Sequence, residues 1–212
     1  MATFGEMQSA VSKRLLDSAN LAASALDVAS ALNDAVRYWK NTRLWFNEGV
    51  SSQTMVANDA TIPLPSLFFL PAYESGSFIV SYSGQRYPLA KISGAEYDAI
   101  MGDSTYGLPC AYAYIGGSYE AYPTPDTAYT IIVRYLKDYT DMVQSDYNAT
   151  NDWTTNAPRL LILWACANLI GELRQDDKME AYFRNAAQNE VNNLLQTTNM
   201  RNATGTLAVT SF

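Results

Sequence analysis

The sequence predicts an α+β protein, with N- and C-terminal helices forming a helical bundle, an inserted antiparallel β domain and an extended C-terminal arm. Three observations predict it. Apolar residues recur at helical spacing over roughly residues 3–47. Composition then changes sharply: residues 50–150 hold 13 of the 15 tyrosines and seven of the eight prolines. Helical spacing returns over 151–197. The expected organisation is therefore 1–49 and 151–197 as the bundle, 50–150 as a tyrosine-rich β insert, and 198–212 as an arm.

Each segment has its own local logic. Thr3 and Glu6 have capping-box spacing, and Met7, Ala10, Val11 and Leu15 follow on one face. Ser18 and Asn20 suggest a break. Asp27 reads as the next N-cap, before a stripe of Val28, Leu32, Val36, Trp39 and Phe46 that Gly49 would stop. In the insert, Gly and Pro punctuate short alternating runs. Tyr112 and Tyr114 lead into Gly116-Gly117, then Tyr119 and Ala121 follow, which predicts a hairpin because both turn positions tolerate positive φ. Phe78, Val80 and Tyr82 mark another strand, and Tyr129, Ile131, Val133 and Tyr135 mark the clearest one. Such short strands imply an antiparallel sheet or a small sandwich, with one short helix near 95–101. Asn156 and Pro158 predict a helix start, followed by Leu160, Leu163, Trp164, Ala167, Ile170 and Leu173. Asp176-Asp177 marks a turn, after which Met179, Phe183, Ala187, Val191 and Leu194 form a second apolar stripe. A connection that short predicts an antiparallel pair. The segment TNMRNATGTLAVTSF has no helical periodicity and only Arg201 as a charge, so it reads as extended.

Composition limits function. The net charge is −7, with ten acids against four bases in residues 50–150 and near balance on either side. A tight nucleic-acid binder needs clustered Lys and Arg, and none is present. The longest apolar stretch, residues 160–170, is too short to span a bilayer. Residues 1–17 lack the continuous apolar run of a secretion signal. Cys110 and Cys166 have neither disulfide-framework nor zinc spacing, and both are expected to be buried in a protein made in a reducing compartment.

No catalytic constellation emerges. The chain has no histidine, which removes Ser-His-Asp and Cys-His chemistry and most catalytic zinc sites. Neither a phosphate-binding loop nor a dinucleotide fingerprint occurs. Glu120 with Asp126, or Asp138 with Asp141, could be paired carboxylates, but their setting gives no reason for a raised pKa, and they read as solvated loop charges. Asp138, Asp141 and Asp146 lack calcium-loop spacing. The expectation is a non-enzyme without metal or cofactor. The tyrosines leave three readings open: a sugar-binding platform, a protein–protein interface, or sheet core with cross-strand pairing.

The order of features resembles the head-to-tail adaptor proteins of tailed bacteriophages, above all the short-tailed ones. The residues that carry the resemblance are LNDAVRYWKNTRLWFNEG (Leu32–Gly49), YAYIGGSYEAYPTPDTAYTIIVRY (Tyr112–Tyr135), LLILWACANLIGELRQDDKMEAYF (Leu160–Phe183) and RNATG (Arg201–Gly205). The resemblance implies a structural virion protein, made in the host cytoplasm and placed at the head–tail interface. Copies would form a ring, of about twelve by analogy with such adaptors, below the portal protein. That ring would meet tail or nozzle proteins and let genomic DNA pass without sequence-specific binding. Acidic residues lining such a channel would repel phosphate. The resemblance also implies a portal-binding arm, here Arg201, Asn202, Thr206, Leu207, Val209 and Phe212. The alternative is a carbohydrate-binding or tail-associated β module.

Overall fold

The computed structural model describes residues 1–19, 21–101 and 105–202. Its helices are α1 (Phe4–Ala19), α2 (Ala25–Trp39), α3 (Gly94–Met101), α4 (Asp152–Asn156), α5 (Pro158–Leu173) and α6 (Asp177–Asn202). The strands are β1 (Glu48–Thr54), β2 (Phe68–Pro71), β3 (Phe78–Tyr82), β4 (Gln85–Pro88) and β5 (Ala90–Lys91). They continue with β6 (Tyr106–Gly107), β7 (Ala111–Ile115), β8 (Ser118–Tyr122), β9 (Thr124–Pro125) and β10 (Thr130–Lys137). The chain divides into a helical unit, Met1–Asn47 with the chain from Tyr139 onward, and a β unit, Glu48–Asp138.

In the helical unit, α5 is the hub. Ten of its residues, including Leu160, Leu161, Trp164, Cys166 and Ile170, are buried. A helix apolar on all sides belongs inside a bundle, and α1, α2, α4 and α6 all pack on it. The expected stripe through Leu163 and Ala167 is thus part of a wider buried surface, while Leu173 is exposed. Pro158 occupies the first turn as predicted, but Asn156 ends α4 and does not start α5. Helix α5 has Ala157 at its N-cap with no side-chain cap, and the capping box belongs to α4: Asn151 accepts from the Thr154 N–H at 2.9 Å, and the Asn151 N–H donates to Thr154 Oγ1 at 2.9 Å. Helices α5 and α6 run antiparallel. Arg159 meets Glu190 and Asn168 meets Arg184, so numbers fall on one helix as they rise on the other.

The N-terminal capping box forms as expected, with Thr3 N–H donating to Glu6 Oε2 at 2.9 Å and Glu6 N–H to Thr3 Oγ1 at 3.3 Å. The cap of α2 corrects the expectation by one turn. Ser24 is the N-cap, and Asp27 is the third helical residue that closes its box. Asp27 reads as a cap from sequence because both positions favour short oxygen-bearing side chains. The helix ends at Trp39, not at Gly49, and Phe46 lies beyond it.

The inserted segment also ends earlier than expected. Residues 139–150 belong to the helical unit because their backbone is pinned there. Asn33 donates from Nδ2 to the Met142 carbonyl and accepts from the Met142 N–H, both at 3.0 Å. The N–H groups of Phe4 and Gly5, otherwise orphaned at the start of α1, donate to the carbonyls of Ala149 and Tyr147. Arg37 bridges Asp34 at 2.7 Å and also binds Asp141.

The β unit holds an antiparallel sheet in the order β1-β10-β3-β4, with β2 also on β10. A second sheet has the order β5-β7-β8, and β6 pairs with β9. The β5–β7 and β6–β9 pairs are parallel but only two residues long. The hairpin at Gly116-Gly117 forms as predicted, with φ of 58° and 96° there. Strand β10 is central, and Tyr129, Ile131, Val133 and Tyr135 are all buried. The core face of this sheet meets rings from the second sheet: Phe78 on β3 lies 4.7 Å from Tyr112 and 5.2 Å from Tyr119, centroid to centroid. The two sheets therefore share one aromatic core, the sandwich-like outcome.

Gly49 has a role that sequence reading misassigned. It lies in β1 directly opposite Tyr135, and a Cβ there would stand 2.6 Å from Tyr135 Cζ. The glycine makes room for the ring. Gly49→Ala should destabilise the β unit by about 1–3 kcal/mol, because the ring has to leave its packed position. Near-ultraviolet circular dichroism during thermal unfolding would read the tyrosine environment, and an unchanged midpoint would refute the packing argument.

Candidate functional site

Three of the four carboxylates in the candidate pairs make local contacts. Asp126 accepts from the Tyr129 hydroxyl at 2.6 Å, and that bond raises the Tyr129 pKa to about 12. Glu120 on β8 accepts from Ser118 Oγ at 3.4 Å. The nearby Tyr97 hydroxyl is buried without a hydrogen bond of good geometry, and burial first and Glu120 second push its pKa to about 12. Asp141 serves Arg37. Many other acids cap helices: Glu6, Asp27, Glu96 and Asp176 each accept a backbone N–H at a helix start. Among the described residues, no group of three or more His, Cys, Asp or Glu could hold a metal ion. No described helix is long and apolar enough to cross a membrane.

The cysteines divide. Cys166 is fully buried on α5, and burial pushes its thiol up to about 12. Cys110 is exposed, which corrects the expectation for it. Its backbone is held on both sides, by its N–H to Tyr122 O at 2.8 Å and by Ala90 N–H to its carbonyl at 2.9 Å. Those bonds fix the main chain and leave the side chain facing out. A disulfide reagent near pH 8 should therefore titrate one thiol in the native protein and two after denaturation. Two reactive thiols in the native state would contradict the buried Cys166.

Five of the insert's tyrosines belong to its core, and a sixth pairs across a hairpin. Tyr97, Tyr112, Tyr119, Tyr129 and Tyr135 are buried, and Tyr114 pairs across the hairpin with Tyr119 at 4.9 Å. Tyr82, Tyr106 and Tyr114 remain at least half exposed.

Two surfaces of the β unit suit assembly. The first is the outer edge of β1. The Met55 N–H donates to Tyr129 O at 2.8 Å, so in this register odd-numbered residues of β1 turn their backbone groups toward β10. Val50, Ser52 and Thr54 turn theirs outward, and all three are exposed, Val50 by 69%. Glu48 is the one charge on this strand, and from Val50 to Thr54 no charge, proline or bulge among the described residues blunts the edge, as natural edges usually are. The opposite edge, β4, is guarded by Arg86 and Pro88. The β8 edge is covered by residues 60–62, through Ile62 N–H to Tyr119 O and Ala121 N–H to Ala60 O. The second surface is an apolar groove of about 460 Å³, lined by Leu64, Phe68, Leu70, Pro71 and Tyr114, with Lys91 at its wall.

The motifs singled out in the sequence are structural joints. In RLWFNEG, Leu44 and Phe46 are buried, and Phe46 meets Trp153 edge-on at 5.0 Å. Asn47 is fully buried and donates from Nδ2 to the carbonyls of Lys40, at 2.7 Å, and Thr42, at 3.2 Å. In YPTPDTAY, Thr124-Pro125 forms β9, Asp126 takes the Tyr129 hydroxyl, and the Pro125 carbonyl accepts from the Asn58 N–H at 2.8 Å.

A family model described as the SU10 adaptor protein matches residues 2–210. The chain belongs to the SU10 adaptor protein family. It is a structural adaptor protein of a phage, which accords with motifs that build joints and pack cores. No curated protein sequence matches it significantly. Of the expected arm residues, Arg201 and Asn202 are the last two of α6, so residues 198–202 are helical and not extended. The sequence hid this because Thr197, Thr198 and Asn199 are poor helix formers. Tertiary contact overrides that weakness: Thr198 is 3% exposed and its hydroxyl accepts from the Trp45 N–H at 3.4 Å. Thr206, Leu207, Val209 and Phe212 lie outside the described residues.

Proposed function

We propose that this adaptor forms a ring between the portal and the tail of a phage, extending the channel through which the genome passes. The match to the adaptor family over residues 2–210 carries this reading. The unprotected β1 edge and the apolar groove support it, since each is a surface that association with another chain would cover. A ring of identical copies needs a heterologous contact, with one patch on each copy meeting a different patch on the next. The excess of acids over bases fits a channel that DNA must slide through without binding. The residues after α6, uncharged beyond Arg201, supply an arm able to anchor on the portal by main-chain bonds and apolar side chains.

Native mass spectrometry and electron microscopy of the chain, with and without the portal ring from the same genome, test the proposal. The expected result is a monomer alone and a closed ring of adaptor copies on each portal. A folded chain that never associates with the portal would overturn it.

A further inference from the structure

We propose that Arg201 is a positioning residue: stacked on Trp45, it fixes the last turn of α6, the turn that precedes residues 203–212 in the sequence. The proposal rests on the reading of those residues as a portal-binding arm. It reassigns Arg201, because the guanidinium is engaged inside its own chain.

The contact is rooted in the core. The Arg201 guanidinium carbon lies 4.6 Å from the centroid of the Trp45 ring, within cation–π range. Trp45 is partly buried and meets Phe46 edge-on at 5.0 Å. Phe46 in turn meets the fully buried Trp153 edge-on at 5.0 Å. A row of three rings thus runs from Trp153 out to the Arg201 side chain. One turn before Arg201, Thr198 Oγ1 accepts from the Trp45 N–H at 3.4 Å while donating to Leu194 O at 2.8 Å. Leu194, Thr198 and Arg201 share one helical face by their spacing, and both Leu194 and Thr198 are buried. Met200, on another face of the same turn, is 78% exposed.

Physical chemistry favours this pairing at this place. A cation in the last turn interacts well with the carbonyl end of the helix dipole. The planar guanidinium can lie flat on an indole, whereas a lysine ammonium is a compact and strongly hydrated charge. Weak helix formers at Thr197, Thr198 and Asn199 would otherwise let this turn fray. The clasp holds it in place.

A double-mutant cycle with Trp45→Leu and Arg201→Gln tests the idea, using two readouts. The first is amide hydrogen exchange across residues 196–202 of the free protein. Each single variant should exchange about two- to fivefold faster there, and the double variant no faster than either single, because both remove one cation–π contact. The second readout is capture by the portal ring, which both single variants should weaken to a similar degree. Arg201→Lys should fall between wild type and Arg201→Gln in both. Trp45→Phe keeps a ring in place and controls for loss of packing. Unchanged exchange in Trp45→Leu would overturn the clasp. Capture lost in Arg201→Gln but kept in Trp45→Leu would overturn it too, by making Arg201 a direct portal contact. A chain lacking Thr206–Phe212 separates the two levels: if its capture is undiminished, the arm reading fails, while the exchange result still judges the clasp.

Discussion

Trp153→Ala should lower the stability of the helical unit by about 3–5 kcal/mol, the range for deleting a large buried aromatic. Trp153 is fully buried, Phe46 meets it edge-on at 5.0 Å, and Tyr139 lies at 6.4 Å. These neighbours come from the two ends of the insert, so the ring joins the chain leaving α2 to the chain returning toward α4. Tryptophan fluorescence during urea unfolding reports on this unit, because Trp39, Trp45, Trp153 and Trp164 all lie in it. With a slope of about 2 kcal/mol per molar urea, the midpoint should drop by about 2 M. Trp153→Phe should cost far less. It keeps a ring, and it removes a buried Nε1–H that has no hydrogen-bond partner among the described residues. A midpoint for Trp153→Ala within about 0.5 M of wild type would mean that the ring is not central to this core.

Deleting Thr206–Phe212 should abolish capture by the portal ring and leave the free chain folded. The deleted residues carry no charge and place Leu207 and Val209 at the period-two spacing of an extended segment. Affinity from such a segment comes from main-chain bonds and a few apolar anchors, so removing the whole run removes the contact. Among the described residues, the buried members of both hydrophobic cores end at Leu194, with Leu195 packed against the first, so the shortened chain is expected to keep its fold. Circular dichroism and the fluorescence midpoint should match those of the full chain. Full capture by the shortened chain would show that another surface holds the portal, with the β1 edge the first to test.

Legibility in the sequence followed the range of the interaction involved. Thr3 with Glu6 was readable because a capping box spans three residues, and its partners are fixed by the helix itself. Gly116-Gly117 was readable because positive φ at both turn positions is a property of glycine. The alternation Tyr129, Ile131, Val133, Tyr135 announced a buried strand face for the same local reason. Asp27 was misplaced by one turn because its residue type suits two neighbouring positions, and only the backbone at Ser24 chooses between them. Gly49 was read as a stop because its partner, Tyr135, is far away in sequence and becomes its neighbour only through strand pairing.

The candidate site divides in the same way. The sequence by itself determined the class of the protein: helices at both ends, a tyrosine-rich insert, no histidine and no clustered base. These depend on residue type and periodicity, which act over one or two turns of backbone. It also supplied the motifs that carry the family, since they are strings of adjacent residues. Only the tertiary structure decided what those strings do. It placed residues 139–150 with the helices through the Asn33 clamp, left the β1 edge unpaired among the described residues, and carried α6 on to Asn202 against Trp45. Asn33 and Met142, or Trp45 and Thr198, are more than 100 positions apart, and neither partner's residue type names the other. Contacts of that range exist only after the chain has closed its long loops, so no local pattern encodes them.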